Sequence, residues 1–166
     1  MDIPAGLGII IDIIVALILI FSFIGGLREG AVKELLNLVA LLLALSLTGF
    51  FMGYVMSWFN CIPDANWRGL LGFAVTLLLI MIVLGLLFWP LRGMVEKGWS
   101  GGALWSILGG IFGLINSAIG LIVLVRLFEI YPVFTWLNMV FLSSQILNWL
   151  ISYVGPLLVM LPVSFR

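Results

Sequence analysis

Three polar residues stand inside stretches of this chain that are otherwise almost wholly apolar: Asp12, Asn116 and Arg126. If those stretches cross a membrane, each of the three is a candidate functional residue, because polar and ionisable groups are costly in lipid. Asp12 has three open roles: an ion pair with Arg126, a carboxylate in contact with water, or a site that handles protons or other ions. We expect Asn116 to form a hydrogen bond between helices rather than to contact a ligand.

The chain lacks the residues on which most enzyme mechanisms depend. It has no histidine and a single cysteine, Cys61, so it offers neither a histidine base nor a cysteine cluster. No nucleophile-elbow or phosphate-loop pattern occurs. We therefore expect no enzyme activity, no metal site and no cofactor. The net charge of zero also argues against a nucleic-acid partner.

Composition predicts the elements that must position these residues. Of the 166 residues, 64% are apolar and only 8% are charged, which is too little charge to cover a soluble domain of this size. Four apolar runs reach the roughly 20 residues that a helix needs to cross a bilayer, and they lack the short alternating pattern of barrel strands. The sequence predicts an all-α membrane protein, with a four-helix transmembrane bundle over residues 1–130 and spans at about 7–26, 35–59, 69–91 and 103–128.

Residues 131–166 are predicted to form an amphipathic helix followed by an apolar tail. A helix from Phe134 to Val154 would gather five polar residues within about a third of its circumference. These are Asn138, Ser144, Gln145, Asn148 and Ser152. Such a helix either lies in the membrane interface or forms a fifth span whose polar stripe meets another helix. We favour the interfacial placement, on the outer side of the membrane.

Basic residues predict the orientation of the bundle, since Lys and Arg are retained on the cytoplasmic side. Arg28 and Lys33 follow the first run, and Arg92 and Lys97 follow the third. We therefore expect the N-terminus outside the membrane and these two gaps inside the cell.

The fourth run carries a stripe of small residues at three- and four-residue spacing. Its members are Ser106, Gly109, Gly110, Gly113, Ser117 and Gly120. A helix face almost without side chains lets another backbone approach closely, which is how helices associate in lipid. The stripe therefore meets either another helix of the same bundle or a second protein, and we favour the first.

The gap after the first run contains a motif of regularly spaced residues, namely Gly26, Arg28, Gly30, Lys33 and Glu34. Two glycines four residues apart allow a tight turn between helices. With Asp12 upstream and the small-residue stripe of the fourth run, this motif resembles the colicin V production protein family (CvpA family) of bacterial inner-membrane proteins. The resemblance covers about residues 8 to 125.

The chain departs from the family pattern in its fourth run. Members often carry an acidic-basic pair where this chain has Trp105 and Ser106, and an Arg followed by Gly at the positions of Asn116 and Ser117. Whatever those charges do in the family, this chain cannot do it with the same residues.

The resemblance implies a multi-pass protein of the bacterial inner (cytoplasmic) membrane, linked to colicin V production or export and hence to bacteriocin or toxin biosynthesis. We expect a non-enzymatic partner or accessory subunit of an envelope, secretion or other membrane assembly. Its partners would be the lipid bilayer and either other membrane subunits or copies of itself. The alternative is a small transporter or channel component that uses Asp12.

Overall fold

The chain folds into six α-helices over the residues that the computed structural model describes, which are 5–98 and 102–158. The helices are α1 (Ala5–Glu29), α2 (Ala31–Met56), α3 (Ala65–Gly98), α4 (Ala103–Ile130), α5 (Thr135–Leu142) and α6 (Gln145–Leu158). A short 3-10 turn, Ser57–Phe59, follows α2. No strand occurs in these two ranges, so the all-α prediction is confirmed. The apolar tail expected after residue 158 lies outside the described residues.

Four of these helices are long and apolar enough to cross a membrane: Gly6–Glu29, Ala31–Phe59, Ala65–Pro90 and Ala103–Ile130. Their outward surfaces carry large apolar side chains, such as Phe50 at 72% exposure and Leu104 at 76%. A helix that presents apolar residues to its surroundings as well as to its core belongs in lipid rather than in water. The protein is therefore a multi-pass membrane protein, as the composition predicts.

The first two helices lie closer together in sequence than the apolar runs suggest. The gap expected between residues 26 and 35 shrinks to one residue, Gly30, because α1 continues to Glu29 and α2 begins at Ala31. Polar side chains end an apolar run but do not end a helix, since helix termini are set by capping and backbone geometry. The third helix is also longer than its apolar run: α3 continues to Gly98, although polar residues begin at Arg92.

Helix α4 lies at the centre of the bundle. One side packs against α1 and α6 in an apolar core that includes Val15, Ile122 and Leu147. The other side packs against α2 and α3 in a second core that includes Leu45 and Phe73. Because α4 contributes to both cores, several helices meet around it.

The prediction of one continuous helix from Phe134 to Val154 is wrong. The segment forms two helices, α5 and α6, separated at Ser143 and Ser144. The expected polar stripe is divided as a result. Ser144 is buried, while Gln145, Asn148 and Ser152 are exposed, and the side chain of Asn138 lies outside what the structure describes.

Candidate functional site

Asp12 holds the beginning of α6 against α1. The hydroxyl of Ser144 donates a hydrogen bond of 2.5 Å to Oδ1 of Asp12, and the backbone N–H of Ile146 donates one of 3.1 Å to the same oxygen. A carboxylate at a helix N-terminus satisfies backbone N–H groups that have no partner within the helix, and it also interacts favourably with the helix dipole. Hydrogen bonds to a charged group contribute about 1.5–3 kcal/mol each. Asp12 therefore fastens the C-terminal helix to the bundle.

The break between α5 and α6 brings this contact about. Ser143 donates a hydrogen bond of 2.6 Å to the carbonyl of Val140, and Ser144 accepts one of 3.2 Å from the N–H of Leu147. Ser144 thus acts as the N-cap of α6, a role that serine fills well. The backbone of α1 comes close at the same place, because a Cβ on Gly8 would lie 2.7 Å from the carbonyl oxygen of Ser143.

The ion pair considered for Asp12 and Arg126 does not form. Arg126 lies at the end of α4 and pairs instead with Glu129, one turn further along the helix, at 2.7 Å. Both members of that pair are substantially exposed, at 46% and 31%, so the pair contributes little to stability. The physical reason is local: an i,i+3 carboxylate on the same helix is always within reach, whereas Asp12 already accepts two hydrogen bonds from the α6 region.

The glycines of α4 pack against the end of α1. Backbone meets backbone at this crossing, because a Cβ on Gly26 would overlap the carbonyl oxygen of Gly109, and a Cβ on Gly109 would overlap that of Gly26. One turn further, a Cβ on Gly113 would lie 2.6 Å from the carbonyl oxygen of Ser22. The stripe on α4 is therefore a contact inside this chain at these positions. Gly120 is different, since a Cβ there would meet no atom within 4 Å.

The remaining members of the small-residue stripe also differ from one another. A Cβ on Gly110 would lie 2.6 Å from the ring of Phe23, so Gly110 shares the crossing with α1. Ser106 is partly exposed near the beginning of α4. Ser117 lines a cavity that is described below.

The motif of the first gap forms the tight turn at this crossing. Gly30 alone separates α1 from α2, with φ 84° and ψ 160°, a backbone conformation that is essentially restricted to glycine. Gly30 also lies against α4, because a Cβ on Gly109 would be 2.7 Å from its carbonyl carbon. Lys33 pairs across the turn with Glu29 at 3.8 Å, and Arg28 is exposed. Gly30 forms a tight turn between α1 and α2 rather than a loop, and Arg28, Glu29 and Lys33 flank it.

A polar cavity of about 210 Å³ lies where α1, α2 and α4 meet. It is lined by Ser22, Gly25, Glu34, Gly113, Asn116 and Ser117. Glu34 is only 8% exposed. Oδ1 of Asn116 is buried and accepts no hydrogen bond from any described residue, so this oxygen does not make the interhelical bond that was expected. A buried acceptor without a partner costs about 1–3 kcal/mol.

Two features of these sites were missed by sequence reasoning. The first is the contact of Ser144 with Asp12; the signal was the Ser143–Ser144 pair, because a serine before an apolar run is a typical N-cap. The second is Ser22, which precedes Gly25 and Gly26 by three and four residues and so extends a small-residue face of α1. That face meets the corresponding face of α4.

Fold and site together define a small helical membrane protein whose first and fourth helices cross at glycines. A family model described as colicin V production protein matches residues 11–155. The chain therefore belongs to the colicin V production protein family, and the resemblance seen in its glycine motif is confirmed. No curated protein and no solved structure matches it significantly.

Proposed function

We propose that this member of the family acts as a non-enzymatic accessory subunit of an envelope or secretion assembly in the bacterial inner membrane. The proposal rests on the contact between Asp12 and Ser144. This contact holds α6 against the bundle with one face buried and the opposite face exposed. Leu147 and Leu150 face the core at 1% and 4% exposure. A surface helix fastened in this way is suited to docking a partner, because little ordering is left to occur on binding.

The free surface of α5 and α6 has the composition of a protein contact. It exposes Trp136, Trp149 and Tyr153 at 59%, 61% and 67%, and the rings of Trp149 and Tyr153 lie 4.7 Å apart. No charged residue occurs between Thr135 and Leu158. Aromatic enrichment with depletion of charge is typical of interface cores. We infer that another membrane-embedded subunit covers this surface.

The orientation that we propose follows from the basic residues. Arg28 and Lys33 flank the α1–α2 turn, and Lys and Arg are retained on the cytoplasmic side. The turn would then face the cytoplasm, and the N-terminus and the α5–α6 surface would lie on the outer side.

A transport role that depends on Asp12 has less support than the accessory role. The residue accepts hydrogen bonds from Ser144 and Ile146 at a helix start, an arrangement that a structural carboxylate shares with N-cap residues. The absence of histidine from the sequence also favours a role without catalysis.

Purification of the tagged protein from its native membrane in a mild detergent tests the accessory role. We expect stoichiometric foreign membrane subunits to co-purify with the native sequence and to be lost from a Trp149→Ala, Tyr153→Ala double variant. Phe50→Ala is the matched control, because Phe50 is a comparably exposed aromatic residue on α2. A pure homo-oligomer, or foreign subunits that stay bound to the double variant, would contradict the proposal.

A further inference from the structure

An apolar groove lies between α2 and α3 on the lipid-facing surface of the bundle. Its volume is about 330 Å³, and three of its eight lining residues belong to α2 and five to α3. Seven of these eight described residues are aliphatic or aromatic, and none of them carries a charge. The eighth, Thr76, is only 1% exposed, and its hydroxyl donates a hydrogen bond of 2.5 Å to the carbonyl of Gly72. The lining side chains therefore offer no free donor to a polar ligand.

The lining residues form a channel with a buried floor and exposed rims. Val55 and Leu84 form the floor, each at 7% exposure, while Phe51 and Val83 form the rims at 50% and 63%. On each helix the lining extends over a distance of eight residues, which is about 12 Å at a rise of 1.5 Å per residue. The channel therefore runs along the two helices and is open on the side that faces lipid.

The groove lies at the depth of the hydrocarbon core. Its two walls belong to the membrane-spanning segments Ala31–Phe59 and Ala65–Pro90. Helices α5 and α6 pack against α1 and α4 instead, so no described helix fills the groove, and the docking surface proposed above for a partner lies elsewhere. Water does not fill an apolar space of this kind, because such cavities stay dry. The molecules that can reach the groove within a membrane are lipid chains and other membrane helices.

We propose that this groove binds one acyl chain of a membrane phospholipid. A volume of about 330 Å³ over a length of about 12 Å gives a mean cross-section of roughly 30 Å². An α-helix about 10–12 Å across needs on the order of 80–110 Å², so the channel is too narrow for a helix but suits a single extended hydrocarbon chain. A chain that contacts the floor and both rims gains dispersion attraction from closely packed protein atoms. Because no described lining residue is charged, recognition depends on the chain rather than on the headgroup.

Native mass spectrometry of the delipidated protein in detergent, titrated with dioleoyl phosphatidylglycerol, tests the proposal. We expect one saturable phospholipid site on the native sequence and about tenfold or more weaker binding in Leu79→Trp, because a larger side chain fills the channel. Leu78→Trp is the matched control, since Leu78 is the preceding residue on α3, is exposed at 58% against 40% for Leu79, and does not line the groove. Its affinity should equal that of the native sequence.

A second variant and a second lipid make the test specific for the acyl chain. Val83→Trp blocks the groove from another position and should weaken binding as Leu79→Trp does, with unchanged elution on size exclusion. Dioleoyl phosphatidylethanolamine should bind about as tightly as the phosphatidylglycerol, and glycerophosphoglycerol, which is the headgroup without chains, should not compete.

The proposal is overturned if the native sequence shows no saturable site, or if folded Leu79→Trp binds the lipid as tightly as Leu78→Trp does. Competition by glycerophosphoglycerol, or much weaker binding of the phosphatidylethanolamine, would assign recognition to the headgroup and would also overturn it. A native homo-oligomer that Leu79→Trp dissociates while Leu78→Trp does not would show that a second copy covers the groove instead of a lipid chain.

Discussion

Two neighbouring glycines of α1 should respond in opposite ways to the same substitution. A Cβ on Gly25 would meet no atom within 4 Å, so Gly25→Ala should raise the free energy of unfolding by about 0.5–1 kcal/mol through backbone entropy. A Cβ on Gly26 would overlap the carbonyl oxygen of Gly109 and lie 2.8 Å from its carbonyl carbon. Those are backbone atoms of α4, which cannot move aside as a side chain would, so Gly26→Ala must separate α1 from α4.

The difference between the two variants isolates the packing term. Both substitutions replace glycine by alanine within α1, so the gain in helix propensity largely cancels between them. What remains is the overpacking cost at Gly26, about 1–3 kcal/mol, which is about 5- to 150-fold in the unfolding equilibrium constant. Gly109→Ala should give a similar loss, because the same two backbones meet there.

Reversible unfolding in mixed detergent micelles, followed by far-UV circular dichroism, measures this difference. Equal stabilities of Gly25→Ala and Gly26→Ala would refute the assignment of Gly26 and Gly109 to a close helix crossing. A Gly25→Ala variant that is clearly less stable than the native sequence would refute the open space at that position.

Two further predictions concern the turn and the Asp12 contact. Gly30→Ala should lower the free energy of unfolding by about 1–3 kcal/mol, because alanine is strained at φ 84°, ψ 160°. Gly53→Ala is its control in the same unfolding assay, because a Cβ on Gly53 meets open space. Equal effects of the two substitutions would contradict a strained turn at Gly30. Asp12→Ala should release α6 and speed maleimide labelling of a Leu147→Cys probe about tenfold or more in a Cys61→Ser background, since hydrogen bonds to a charge are lost. Asp12→Asn, which keeps an acceptor oxygen, should have a smaller effect, and an unchanged rate in Asp12→Ala would show that the contact does not hold α6.

Hydropathy made the membrane helices predictable, because lipid forces every backbone group in a span to be paired within its helix. The helix ends were predicted from composition as well, and these predictions were less accurate. Charged residues such as Arg28 and Lys33 end an apolar run, yet helix α1 continues to Glu29 and α2 begins at Ala31. The backbone conformation of Gly30 ends α1. The sequence alone does not show which of the neighbouring glycines adopts that conformation.

The sequence did not show which residues contact each other between helices. The residue that pairs with Asp12 lies 132 positions away at Ser144, and the favoured interfacial placement put Ser144 on a polar stripe directed away from the bundle. Periodicity assumes an uninterrupted helix, so a break at two serines changes the direction of every residue after it. The α4 stripe was easier, because close approach of helices needs small residues whatever their partner is.

Asp12 and Glu34 are carboxylates of the bundle whose surroundings differ. Asp12 accepts hydrogen bonds from protein donors at the start of α6, whereas Glu34 is buried where α1, α2 and α4 meet. Along the helix axes they lie on the order of 20 Å apart, by the rise of 1.5 Å per residue. Substitutions at Asp12 and at Glu34 should therefore act independently on stability. The losses of unfolding free energy in Asp12→Asn and in Glu34→Gln should add to within about 0.5 kcal/mol in the double variant, because the two sites share no contact. Reversible unfolding in mixed detergent micelles measures all three variants, and a clearly larger deviation from additivity would show that the two carboxylates act through one shared rearrangement.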